Sequence, residues 1–182
     1  MIPIPVDLIE SAKGGETEYV ERLVIAIWPD AYRLALAIVG DRQGAEDVAQ
    51  EACIILYRTI GSLRSTEAFR SWFYRIVVRE ASEHKRRRSR LEPVLAVASE
   101  NVDQTASIDI WRALSGLPDH LRDVVVLRYF EDLSSREIAS ILRIPDGTVR
   151  FRLMIARRRL RPLLGEATDT ATQPNEVTTH AV

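Results

Sequence analysis

From Leu133 to Arg161 the apolar residues recur at intervals of three and four, and one short break divides them. A strand would alternate at intervals of two, so this spacing restricts the stretch to two helices joined by a tight turn. Ser134 stands three residues before Glu137. That is the capping-box spacing, in which the serine hydroxyl accepts from an orphan N–H and the glutamate reaches back to the cap. Ile138, Ala139, Ile141 and Leu142 then form one apolar face. Pro145 is expected to end the helix, because the residue before a proline is steered out of the α region. Asp146 is expected to cap the next helix, Gly147 to ease the turn, and the helix to resume from Thr148. Along it Val149, Leu153, Ala156 and Leu160 make one buried stripe. Phe151, Met154, Ile155 and Arg158 then point away from the stripe, with Arg150 and Arg152 flanking it.

Between Arg143 and Arg161 there are seven arginines and one aspartate. One reading is an ordinary helical hairpin with a solvated basic face. The other is a helix-turn-helix in a DNA groove, where arginine pairs with guanine and apolar groups meet thymine methyls. Phe151, Met154 and Ile155 on the outer face favour the second.

The net charge of −1 names no partner, but its distribution is uneven. Residues 1–60 carry ten acidic and five basic groups, whereas residues 75–90 carry seven basic and two acidic. Such segregation suits a protein partner at one end and nucleic acid at the others. Cys53 is the single cysteine, so no disulfide framework and no cysteine zinc set is possible within the chain. His84, His120 and His180 lack metal-ligand spacing. No phosphate-binding glycine loop or Ser/His/Asp arrangement is visible, so neither an enzyme nor a cofactor is expected. The N-terminus lacks a signal-peptide pattern, and no run reaches the ~20 apolar residues of a membrane span. A cytoplasmic protein without membrane insertion is expected.

Helical periodicity extends through most of the chain, which predicts an all-α fold of two small helical domains joined by a linker. Residues 1–90 form the first. Within it, residues 18–40 read as a helix or a helix pair interrupted near Trp28–Pro29, and Gly40–Asp41 as a turn. Residues 44–60 read as a helix with Ala45, Val48, Ala49, Ala52, Ile55 and Leu56 inward. Gly61 to Glu67 reads as a polar turn, and Ala68 to Arg88 as a helix that is aromatic early and basic late. Residues 91–108 read as the linker, and residues 109–165, beginning near Ile108, as the helix-turn-helix domain. In that domain Pro118 opens a helix at its first-turn position. The polar, threonine-rich residues 166–182 are expected to be disordered.

Three segments carry a family resemblance. They are GDRQGAEDVAQEACIILYRT at 40–59, FRSWFYRIVVREASEHKRRR at 69–88, and LPDHLRDVVVLRYFEDLSSREIASILRIPDGTVRFRLMIARRRL at 117–160. In order and spacing the chain resembles a bacterial extracytoplasmic-function sigma factor, the promoter-recognition subunit of RNA polymerase. The resemblance implies core RNA polymerase (its β′ clamp helices and β subunit) and promoter DNA as partners, with an anti-sigma factor as a further one. It places Glu46, Asp47, Gln50 and Glu51 on the clamp-binding helix. Ser62 and Arg64 fall in the base-capturing loop. Trp72, Arg75, Arg79, Lys85, Arg86 and Arg87 fall on the helix that reads and melts the −10 element. Ser135, Arg136, Thr148, Arg150, Phe151, Arg152, Ile155 and Arg158 fall on the −35 reader. Trp72, Phe73 and Tyr74 are candidates for stacking support, although Trp72, Phe73 and Ile76 read first as core. Arg79 stands where relatives often carry asparagine, Glu83 where they carry aspartate, and Phe151 where a small polar residue is common. The base preferences are therefore this chain's own. A conventional helix-turn-helix regulator with an N-terminal sensor or dimerisation domain is the alternative reading.

Overall fold

The computed structural model describes residues 4–91 and 113–164. The expected linker at 91–108, the start of the second unit near Ile108 and the tail at 166–182 lie outside the described residues, apart from Leu91. Seven helices are bounded among the described residues: α1 (Val6–Lys13), α2 (Thr17–Val39), α3 (Arg42–Thr59), α4 (Phe69–Leu91), α5 (Asp119–Tyr129), α6 (Ser135–Leu142) and α7 (Asp146–Leu164). No strand occurs among them. The fold is all-α with two helical domains, as the periodicity predicts.

In the first domain α2, α3 and α4 pack pairwise, with α1 against α2. Leu23, Ile27, Leu34, Ile38, Leu56, Phe69, Phe73 and Val77 lie at the centre and are almost completely buried. Each such side chain contributes roughly 1.5–3 kcal/mol of burial free energy. The expected break near Trp28–Pro29 is absent, and α2 runs unbroken with Pro29 inside it. Pro29 removes an N–H that would have met the carbonyl of Ile25. Both residues are exposed, so that carbonyl faces solvent while Leu23, Ile27 and Leu34 hold the other side.

The α2–α3 turn matches its chemistry. Gly40 takes a left-handed φ of 92°, and its N–H donates to the Leu36 carbonyl at 2.9 Å. Asp41 then caps α3, accepting from the Gly44 N–H at 2.8 Å. Of the six inward residues expected on α3, Ile55 is only half-buried. The Gly61–Glu67 segment is less polar in place than in sequence. It includes a 3₁₀ turn at Ile60–Ser62, and Leu63 and Thr66 are buried.

In the second domain α7 packs against α5 and α6. The capping box of α6 is complete: Glu137 N–H donates to Ser134 Oγ at 3.3 Å, and Ser134 N–H donates to Glu137 Oε2 at 2.8 Å. Three boundaries differ from expectation. Pro118 is the N-cap of α5 rather than its first helical residue. Chain direction after α6 changes at Arg143, which is left-handed (φ 53°), two residues before Pro145. Asp146 opens α7 as its first residue instead of capping it, and nothing crowds Gly147. In that first turn the Asp146 charge complements the helix dipole and pairs with Arg150 at 2.8 Å.

The buried residues of both domains form one continuous cluster, because the second domain packs against the first through α4–α6 and α2–α5.

Candidate nucleic-acid interface

The helix-turn-helix is built from its core outward. Val149, Leu153, Ala156 and Leu160 are buried as the stripe requires, and Ile138 and Ile141 close on them from the core of the domain. The opposite side of α7 carries Arg150, Phe151, Met154, Arg157, Arg158 and Arg159, all exposed. Phe151 and Met154 are each 57% exposed, so large apolar groups do stand among arginines in solvent. Ile155 differs from expectation: it is half-buried and packs on the core. Two helices, α5 and α6, flank α7, and this widens the buried arc beyond a single stripe. Arg152 and Thr148 are half-buried, as is Ser135 on α6, whereas Arg136 is exposed. Arg157 Nε donates to the Tyr129 hydroxyl at 2.8 Å, fixing one edge of the face.

The second candidate surface is α4. Trp72 is half-buried and lies 6.2 Å from the Phe69 ring. Phe73 is fully buried, which agrees with the core reading. Tyr74, a candidate for stacking support, is also fully buried here. Its ring is committed to the domain contact, because the helical angle that turns Phe73 and Val77 inward turns Tyr74 toward the second domain. Arg75 Nη2 donates to Ser140 Oγ of α6 at 3.0 Å. Arg79 is exposed and pairs with Glu80 at 2.8 Å. Lys85 pairs with Asp119 of α5. Arg86 and Arg87 are exposed and share Glu83, Arg87 at 3.2 Å. Ser62 donates to the Thr59 carbonyl at 2.7 Å, and Arg64 is exposed beside it in the loop.

The third surface is the outer face of α3. Glu46, Asp47, Gln50 and Glu51 are all exposed and lie together along it. Ile54 and Tyr57, 42% and 49% exposed, extend the same face toward the helix C-terminus. Neither charge nor capping pattern marks them in the sequence, although their spacing of four and seven from Gln50 places them there.

Between the domains lies a cavity of about 300 Å³ lined by Ile38, Ser82, Lys85, Arg86, Ser89, Asp119 and Asp123. Burial pushes the Asp123 carboxyl up to about 6. Burial likewise raises Glu131, against the lowering effect of its hydrogen bond from Tyr74. Cys53 is buried, and its thiol is pushed up to about 11 by burial, which fits a packing role rather than reactivity. Among the described residues no helix is long and apolar enough to cross a membrane, and no group of three or more His, Cys, Asp and Glu is placed to hold a metal.

Comparison with known proteins agrees with this arrangement. The family model of sigma-70 region 2 matches residues 23–91, and that of sigma-70 region 4 matches residues 107–160. The chain is 33% identical to the RNA polymerase sigma-H factor of Pseudomonas aeruginosa, over 88% of this chain and 95% of that one. It is 31% identical to the ECF RNA polymerase sigma-E factor of Escherichia coli, over 92% and 93% of the two chains. Among solved structures, the fold is similar to a Bartonella quintana sigma factor, RpoE, in complex with the anti-sigma factor NepR. The TM-score is 0.69 at 22% identity, covering 79% of this chain and 95% of that one. It is also similar to CnrH in complex with the cytosolic domain of CnrY, with a TM-score of 0.68 at 22% identity, over 87% and 96%. An acidic helix face, an aromatic-then-basic helix and a basic helix-turn-helix therefore stand in the order of two sigma-70 regions, and the chain belongs to the extracytoplasmic-function (ECF) sigma factors, acting in transcription initiation.

Proposed function

We propose that the two domains divide promoter recognition between them, with residues 1–90 gripping core polymerase and reading the −10 element and residues 109–165 reading the −35 element. The observation that carries this reading is the separation of surface chemistry. The α3 face is acidic and amide-bearing with two exposed apolar side chains, whereas α4 and α7 are rich in arginine. An acidic face with Ile54 and Tyr57 suits a basic partner helix, and so the β′ clamp helices. Arginines with Phe151 and Met154 suit a major groove, with Arg150 and Arg152 at its base edges and phosphates. On α4, Arg75, Arg79, Lys85, Arg86 and Arg87 supply cations for the displaced strand, with Ser62 and Arg64 at the base-capturing loop. The β subunit and an anti-sigma factor complete the partner set. Of the two similar structures, one is in complex with the anti-sigma factor NepR and the other with the cytosolic domain of CnrY. No step in this activity is covalent, and binding energy alone drives it.

The test is run-off transcription with purified core polymerase, which should give a promoter-specific product absent with core alone. Changing Asp47 and Gln50 together to Ala should abolish core binding and leave helix content intact. Changing Arg150 and Arg152 together to Ala should abolish −35 discrimination and leave core binding intact. Tight specific duplex binding without polymerase, and no transcript with it, would favour the conventional regulator instead.

A further inference from the structure

One arginine of the second domain is held differently from the rest. Arg157 of α7 donates from Nε to the hydroxyl of Tyr129, the last residue of α5, at 2.8 Å. Both side chains are exposed, Tyr129 by 55%. Elsewhere on the basic surfaces arginines lean on carboxylates: Arg150 on Asp146, Arg79 on Glu80, and Arg86 and Arg87 on Glu83. Arg157 meets no carboxylate among the described residues, so a neutral partner fixes its side chain and leaves its charge whole. The bond uses only Nε–H, and the donors on Nη1 and Nη2 stay available. The Tyr129 oxygen accepts in this bond, and among the described residues its own proton has no acceptor. A guanidinium and a hydroxyl donor thus stand together at one exposed point, with nothing negative answering them.

The place of the pair on the helix fits a particular anion. Arg150 and Arg157 are seven residues apart, so they share a face and lie about 10 Å apart along the axis. Met154 is exposed on the same face between them. A recognition helix reads base edges with its N-terminal residues. With Arg150 at the base edges, Arg157 stands about two turns further along, a distance close to the ~12 Å width of the major groove. The wall of the groove is sugar and phosphate, and α5 reaches that wall from the side through Tyr129. Arginine and tyrosine contacts to phosphate fix register and orientation without reading sequence.

We propose that Tyr129 and Arg157 form a phosphate clamp at the edge of the −35 site, in which Tyr129 positions the guanidinium and donates its own hydroxyl proton to the same DNA backbone phosphate. The inference rests on the assignment of α7 to the −35 element. It adds a contact from α5, outside the recognition helix, that is independent of base sequence. Because Tyr129 holds the guanidinium before DNA arrives, less side-chain freedom is lost on binding.

Two variants test it, and neither touches the core, since both side chains are exposed. The full chain is titrated onto a short fluorescent duplex of arbitrary sequence, and anisotropy is followed through a salt series. Arg157→Gln should make the slope of log K against log salt shallower by about one. Tyr129→Phe keeps the charge, so it should keep the slope and weaken binding roughly two- to tenfold. The chain bound to core polymerase is then tested on the promoter of the run-off experiment, with neutral methylphosphonates placed at single backbone positions. One such position beside the −35 element should weaken the wild type and cost the Arg157→Gln variant far less. The clamp is overturned if both variants match the wild type in affinity and slope. It is equally overturned if they weaken binding to core polymerase and leave DNA binding unchanged, which would give the pair to an acidic protein surface. Absence of promoter-specific transcripts from the wild type would defeat the −35 reading, while the arbitrary duplex still reads the clamp, so the two failures are distinguishable.

Discussion

Acidity should tighten the packing of the second domain against the first (closure), and Asp123 sets the scale. Its carboxyl lines the cavity between the domains and is pushed by burial from 3.8 to about 6. Lys85 from α4, Arg122 on its own helix and Arg152 from α7 lower it, and Asp119 raises it, but desolvation is the largest effect. Across the contact Glu131 is raised for the same first reason, facing Asp30 and Arg33 of α2 and Arg70 and Tyr74 of α4. Both groups hold protons more tightly when the domains are packed than when they are in water. Their contribution to closure is therefore complete below the ordinary carboxyl range and is lost as pH rises through the raised values. For Asp123 that window runs from 3.8 to about 6. Moving from pH 7.5 to pH 5 should then favour closure by up to about tenfold from Asp123 alone, or about 1.4 kcal/mol. The ceiling applies because part of its burial comes from its own domain. Distance measurement between spin labels on α2 and α7 gives the closed fraction across this range. Asp123→Asn should hold the closed fraction up at pH 7.5 and flatten the profile. A wild type that opens as pH falls, or an Asn variant with an unchanged profile, would refute the reasoning.

Two stability predictions follow from local geometry. At Gly44 a Cβ would lie 2.8 Å from both His84 Nε2 and Val39 Cγ1, so Gly44→Ala should cost about 1–3 kcal/mol in urea unfolding. Since Ala ordinarily stabilises a helix over Gly by up to about 1 kcal/mol, a stabilised variant would sink the close-approach argument. Ser134→Ala removes the cap of α6 and should lower the stability of the second domain by about 1 kcal/mol, read as a fall in Tm. Its hydrogen bonds also hold the Glu137 carboxyl below the usual range, so that stabilisation belongs to pH above the ordinary glutamate value and fades as pH falls through the depressed one. A wild-type and Ser134→Ala pair with the same Tm at neutral pH would show that the cap contributes nothing.

Local sequence rules reached far in this chain. Ser134 and Glu137 stated a capping box, and the box is formed. Gly40 and Asp41 stated a turn, and the turn is there, with Gly40 left-handed and Asp41 capping α3. The stripe at Val149, Leu153, Ala156 and Leu160 is buried because a 3.6-residue repeat leaves no other face for it. These features depend on spacing within one helix or turn, where the physics is local. Pro29 shows where local rules stop. Proline disfavours a helix interior, yet α2 continues, since its missing bond falls on the solvent side and the packed side outweighs it.

The sites divide in the same way. That Glu46, Asp47, Gln50 and Glu51 share an exposed face could be read from their intervals, and so could Phe151 beside the arginines. By itself the sequence determined most helices, the capping box of α6 and the buried stripes, because each is written in neighbours three or four positions apart, while the order of the two sigma regions was carried by the resemblance of whole segments. Only the tertiary structure decided that Tyr74 is occupied by Glu131, 57 residues away, that Arg75 rests on Ser140, and that Ile155 is half-covered. Those contacts depend on how two domains and three helices come together, and no short-range periodicity encodes that distance.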